Sequence, residues 1–105
     1  PQEVRYQEKI EKMNRSRARV QPLHWQQEGE QMVFYFPKDM KVVTGSILFY
    51  RPDNEKQDRR TAIQVSDQNL QQLSLRDFRK GRYRVEVDWQ AGENSYFDSA
   101  ELILQ

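Results

Sequence analysis

The sequence predicts an all-β domain, an immunoglobulin-like β-sandwich of about seven strands that follows an N-terminal helix. Short runs rich in Phe, Tyr, Val, Ile and Leu recur along most of the chain. Within these runs apolar and polar residues alternate, as they do in strands with one buried and one wet face. Turn residues separate successive runs, which is typical of a sandwich. The 105 residues are enough for one domain with a modest core.

The N-terminal segment predicts a helix over residues 2–19, because strong helix formers dominate there and no Gly or Pro interrupts them. The first twenty positions contain six basic and three acidic residues. This positive net charge suits a location near an anionic membrane surface. Pro22 then breaks the pattern. We therefore divide the chain into a juxtamembrane-type helix, residues 1–19, and a β-sandwich domain, residues 20–105.

The strands are predicted from period-two runs. The clearest run is Tyr83–Trp89, in which Tyr and Val positions alternate with charged residues before a hairpin loop at 91–94. Gly45, inside a strand pattern, suggests a bulge or a close approach of two backbones. The expected strands are residues 23–26, 32–36, 42–51, 60–66, 70–75, 83–89 and 95–104.

Catalytic motifs are missing from the sequence. It has one histidine and no cysteine, so disulfides, thiolate metal sites and cysteine nucleophiles are excluded. No nucleophile elbow and no glycine-rich phosphate loop is present. The net charge of +1 gives no reason to expect nucleic acid as a partner. We predict that the chain is not an enzyme.

Copper is the metal that the sequence leaves open, because imidazole and thioether groups are copper ligands. The only candidates are His24, Met13, Met32 and Met40. No two of them stand at a short ligand spacing, and Met32 alternates with core aromatics. We therefore predict no cofactor, with a copper site as the alternative.

Outward aromatic rings are the best sequence signal of function. Consecutive pairs such as Phe49–Tyr50 and Tyr96–Phe97 place one ring on each face of a strand. An outward ring next to polar residues is typical of an interaction patch. We take Tyr50, Phe97 and Trp25 as candidate interaction residues.

Several motifs, taken together, resemble the FixH family of bitopic membrane proteins, and the resemblance covers roughly the whole chain. One is a strand that opens at a glycine and ends in Arg-Pro, followed by an acidic residue. Another is a strand of the form Gly-x-aromatic-x-Val-x-Val-x-Trp, and a third is a tyrosine that begins the last strand. The segments concerned are Gly45–Pro52, Asp58, Leu75, Lys80–Trp89, Tyr96 and, in the helix, Tyr6–Ile10 with Met13–Asn14.

The resemblance implies a domain on the periplasmic side of the bacterial inner membrane, held by a transmembrane helix that lies upstream of Pro1. It also implies assembly or stabilisation of a cbb-type cytochrome c oxidase, with membrane oxidase subunits and the membrane surface as partners. Two other hypotheses remain open: a periplasmic copper-binding chaperone domain and a generic periplasmic binding module. The sequence sets neither the oligomeric state nor the partner subunit.

Overall fold

The computed structural model describes residues 2–17, 23–40, 43–52 and 58–104. Within them the chain forms one helix and seven strands. These are α1 (Gln2–Arg17), β1 (His24–Glu28), β2 (Gln31–Tyr35), β3 (Val43–Tyr50), β4 (Arg59–Ala62), β5 (Leu70–Ser74), β6 (Gly81–Ala91) and β7 (Asn94–Leu104).

The strands form two antiparallel sheets, one with the order β1-β2-β5 and one with the order β4-β3-β6-β7. The two sheets enclose a single apolar cluster. This is the arrangement of an immunoglobulin-like sandwich in which the fourth strand pairs with the third. The predicted fold class is therefore confirmed.

Strand β6 explains how the sequence specifies the sandwich. Tyr83, Val85, Val87 and Trp89 are at most 1% exposed and point between the sheets. The residues between them lie on the outer face, so the alternation in the sequence is an alternation in burial. Trp89 stacks on Tyr96 of β7, with ring centroids 4.4 Å apart.

Gly45 marks a close approach of two backbones rather than a bulge. The β3–β6 register runs through it without interruption and pairs it with Trp89. A Cβ built at Gly45 would lie 2.1 Å from the carbonyl oxygen of Asp88, and its φ is +133°. Both observations require glycine at this position.

The end of the sandwich that carries the β5–β6 loop is held by Tyr83 and Arg51. The Tyr83 hydroxyl donates a hydrogen bond to the carbonyl oxygen of Arg79 at 2.7 Å, which resembles the tyrosine corner of immunoglobulin-like domains. The Arg51 guanidinium lies 4.8 Å from the centroid of the Tyr83 ring and donates to the carbonyl oxygen of Lys80. The Arg51 backbone N–H donates to the Asp58 carboxylate at 2.9 Å.

Strand β4 ends at Ala62, not at Ser66 as the sequence pattern predicts. Beyond Ala62 the buried side chain of Gln71 takes the place of a strand partner. Its amide oxygen accepts from the Gln64 N–H at 3.0 Å, and its amide nitrogen donates to the Ala62 carbonyl at 3.1 Å. A side-chain amide satisfies both backbone groups, so the ladder need not continue.

Helix α1 ends at Arg17 in the described part of the chain; residues 18 and 19 of the predicted helix, together with Pro22 and Val42, lie outside it. The helix contacts β7. Within the described ranges, no helix is both long enough and apolar enough to cross a bilayer.

Candidate interaction surface

Helix α1 covers the beginning of the outer edge of β7. The Ser16 hydroxyl accepts a hydrogen bond from the Phe97 N–H at 3.2 Å, and the Arg15 guanidinium donates to the Ser95 carbonyl at 2.5 Å. Both backbone groups belong to the edge that faces away from β6. A sheet edge invites pairing with another chain unless something covers it. The helix therefore protects this part of β7.

Phe97 points outward, as predicted, but it is buried under the helix rather than exposed. It is 9% exposed, and the Lys9 ammonium lies 4.6 Å from its ring centroid. An ion pair of 3.2 Å between Lys12 and Asp88 lies alongside. The expectation that Phe97 is part of an exposed patch is wrong, because the sequence does not show that α1 docks on this strand.

Tyr50 lies on the outer face of the four-stranded sheet, in the outward position that the sequence predicts. It is half-buried, and its cross-strand partner on β6 is Arg84. Arg84 also forms a long ion pair of 3.8 Å with Glu86. Tyr50 therefore lies beside charged groups on the outer face of this sheet.

Trp25 faces inward. Its ring lies 5.7 Å from that of the core residue Phe34, and it packs against the apolar cluster while remaining half-exposed. Trp25 is not one of the outward rings, because it shares the face of β1 that covers Phe34. Its role as an interaction residue stays a prediction. Of the neighbouring residues His24 and Trp25, it is His24 that faces outward.

His24 stacks on Tyr35 across β1 and β2, with ring centroids 4.6 Å apart and planes 10° from parallel. The Tyr35 hydroxyl donates to the Glu28 carboxylate, which also accepts from the Gln26 side chain at 2.8 Å. These hydrogen bonds lower the pKa of Glu28, and the bond to Glu28 raises the pKa of Tyr35. The cluster is exposed, so it is a solvated surface network.

The copper candidates do not form a visible ligand set. Met32 is fully buried on the inner face of β2, whereas His24 lies on the outer face of the same sheet. Met40 packs against the core, and Met13 lies half-buried on α1. No group of three or more His, Asp or Glu residues in the described ranges is placed to hold a metal ion. The copper hypothesis stays a prediction without support from these positions.

Asp98 is a half-buried carboxylate that the sequence did not single out. It accepts a hydrogen bond from the Trp89 indole N–H at 2.8 Å. Burial raises the pKa of Asp98, and the hydrogen bonds from Trp89 and Ser16 oppose that rise. Its position in phase with Tyr96 along β7 was the available signal, because residues two apart share a strand face.

A second missed feature is a basic cluster where β6 begins. Residues 76–84 contain five basic side chains and one acidic one. Arg76, Arg79, Lys80 and Arg82 are exposed, and among the described residues none of the four forms an ion pair. Arg76 and Lys80 line a cavity of about 320 Å³ beside Phe78 and Leu104. The near-zero net charge of the whole chain does not indicate this local excess of basic residues.

These features define a small β-sandwich domain with an exposed polar network on one sheet and a basic cluster where β6 begins. In comparisons with known proteins, the chain matches no protein-family model, no curated protein and no solved structure.

Proposed function

We propose that this chain is the non-catalytic, periplasmic domain of a membrane-anchored factor of the FixH kind, which assembles or stabilises a cbb-type cytochrome c oxidase. In this proposal a transmembrane helix upstream of Pro1 holds the domain at the inner membrane. The domain acts by binding oxidase subunits through its surface.

The observation that carries the proposal is that the residues behind the resemblance contact one another. Arg51, Asp58, Gly81 and Tyr83 meet at one end of the sandwich, where a Cβ on Gly81 would lie 3.3 Å from the Arg51 guanidinium. A motif that reflects a shared fold should consist of residues that support each other in this way. Residues scattered by chance over any β-domain would not.

The other motif residues, on β3, β6 and β7, also contact one another. Gly45 makes room for the backbone of Asp88 and Trp89, and Tyr96 stacks on the Trp89 ring. The motif is thus accounted for by contacts inside the sandwich, and the outward side chains remain for recognition. This division supports a binding role, because a catalytic motif would place reactive groups at the surface or in a cleft.

The single histidine also favours binding over catalysis. His24 is exposed and stacks on Tyr35. A general base needs a nucleophile or substrate group within hydrogen-bond reach and a second group that orients it. In the described part of the chain His24 has a ring contact instead of such partners.

Deleting the gene tests the proposal. We expect loss of the cbb-type oxidase subunits from membranes and loss of its activity, with both restored by the full-length wild-type gene. Another terminal oxidase of the same membrane is the control, because a general membrane defect would lower both. Normal levels and activity of the cbb-type oxidase in the deletion strain would refute the proposal.

A further inference from the structure

The edge of β7 from Ser99 to Ile103 has backbone groups that bond to no other described residue. Phe97 and Ser95 direct their backbone groups away from β6 to the helix, and the β6–β7 register continues without a bulge to Leu104. Ser99, Glu101 and Ile103 have the same phase, so their N–H and C=O groups also face away from β6. Among the described residues none bonds to these groups.

The same stretch presents apolar side chains. Ile103 on the outer face is 61% exposed. On the inner face Ala100 is exposed, and Leu102 is half-buried where it packs against the core. Natural edges are usually blunted by Lys, Pro, a bulge or a cover. Within the described ranges, residues 99–103 have no Pro, no bulge and no cover, and their one charged side chain is Glu101, whereas α1 covers residues 95–97.

The basic cluster described above lies at the end of this edge. Arg82 is the cross-strand partner of Ile103, and Gly81 is the partner of Leu104. A strand added beside β7 would run two strand spacings, roughly 10 Å, from β6. An arginine and a glutamate side chain together span that distance. Arg79 and Lys80 extend the positive charge beyond the end of the strand.

We propose that the β7 edge at Ser99–Ile103 binds an extended segment of a partner protein as an added strand. Its inward side chains are apolar and cover Ala100 and Leu102, and its acidic side chains face Arg82 and the β5–β6 loop. Main-chain hydrogen bonds supply affinity in such complexes, and side chains supply specificity. The inference deepens the proposed function by naming the surface and the chemistry of the bound subunit segment.

A second copy of the chain fits this edge less well. Antiparallel self-pairing centred on Glu101 would place Ser99 of the second copy, and not an acidic residue, opposite Ile103 and nearest to Arg82. In other registers of self-pairing within residues 99–103, the one acidic residue that the second copy could bring near Arg82 is its Glu101. In each copy, Glu101 already lies beside Arg84 of its own β6 strand. An acidic segment from another protein satisfies both the open edge and the cations.

Peptide binding to the purified domain tests the proposal. The probe is a capped (Val-Glu)4 peptide, and the control is (Val-Lys)4. We expect the acidic peptide to shift the amide NMR signals of Ser99, Glu101 and Ile103 and to slow their hydrogen exchange. The basic peptide should do neither. Binding should weaken as salt rises, because the charged groups are exposed.

Two variants separate the components of the site. Glu101→Pro removes an edge N–H without touching the β6 ladder and should weaken binding at least about tenfold. Its matched control Glu101→Ala keeps the N–H and should bind the acidic peptide at least as well as wild type. Arg82→Glu should reverse the preference between the two peptides. It tests the charge even if the proline variant fails to fold.

Other results would overturn the inference. These are shifts confined to another surface, equal binding by Glu101→Pro, or concentration-dependent dimerisation that protects the same amides without peptide. Binding to anionic vesicles that depends on Arg82 but not on the Glu101 N–H would also overturn it, in favour of a lipid surface. Failure of peptide binding with a clear deletion phenotype refutes this surface alone. Peptide binding without any deletion phenotype refutes the proposed function alone.

Discussion

Replacing Gly45 by alanine should destabilise the domain far more than the same change at other glycines with positive φ. The added Cβ would lie 2.1 Å from the Asp88 carbonyl oxygen and 2.8 Å from the Trp89 Cα. Both contacts involve backbone, so no side chain can rotate away. The strands β3 and β6 would have to separate at the centre of the four-stranded sheet.

The magnitude follows from two contributions. A non-glycine residue held at φ +133° costs about 1–3 kcal/mol in backbone strain. Forcing one extra carbon into a packed interior costs about 1–3 kcal/mol more. Together these predict a loss of about 2–6 kcal/mol, a large share of the roughly 5–15 kcal/mol that stabilises a typical domain.

The assay is urea unfolding followed by tryptophan fluorescence, to which Trp89, buried in the folded state, and Trp25 both contribute. Gly29→Ala and Gly92→Ala are the matched controls, because both glycines have positive φ but have nothing within 4 Å of a built Cβ. We expect each control to lose about 1 kcal/mol, the cost of a left-handed residue. A Gly45→Ala variant no less stable than Gly29→Ala would refute the reasoning from close backbone approach.

Three further predictions concern single contacts. Ser16→Ala should speed hydrogen exchange of the Phe97 amide and cost about 1–3 kcal/mol of stability, since a buried N–H loses its acceptor; an unchanged exchange rate at Phe97 would contradict the docking of α1. Tyr83→Phe should cost about 1 kcal/mol in urea unfolding by losing the bond to Arg79, and a loss equal to that of the half-exposed control Tyr35→Phe would argue against the corner. The raised pKa of Asp98 means that the folded state binds its proton more tightly than the unfolded state, so stability falls as pH rises from about the ordinary value of 3.8 through the raised pKa. Asp98→Asn should remove that part of the decline, and parallel stability curves of wild type and variant from pH 3.5 to 7 would contradict it.

The sequence predicted the sandwich because its strands are short and strongly alternating. Tyr83 through Trp89 alternate in burial as they alternate in polarity, and that regularity fixes which face is buried. Gly45 was a readable signal for close approach. The sequence did not reveal which strand the helix covers, because that contact depends on Ser16 and Arg15, two polar residues without a periodic pattern. The burial of Phe97 was therefore unpredictable.

The candidate surface was harder to predict for a related reason. Edge positions are a property of the sheet order, and the order of strands follows from pairings far apart in sequence. A run such as 99–103 reads the same whether it lies at the centre of a sheet or at its edge. Only the observed order, with β7 last in the four-stranded sheet, shows that β7 is an edge strand among the described residues.

Helix α1 covers only part of the β7 edge, and this links the fold to the proposed function. The part at Ser95–Phe97 is covered by α1, and in the described part of the chain nothing pairs with the part at Ser99–Ile103 beside Arg82. If edge protection were the only role of the helix, covering less than half of the strand would leave an aggregation hazard at Ile103. If the part at Ser99–Ile103 instead binds an acidic segment, the helix defines where that segment stops. Shortening α1 should then lengthen the stretch of β7 amides that the (Val-Glu)4 peptide protects from exchange, toward Phe97. Protection that still stops at Ser99 in the shortened protein would show that the helix does not set this limit.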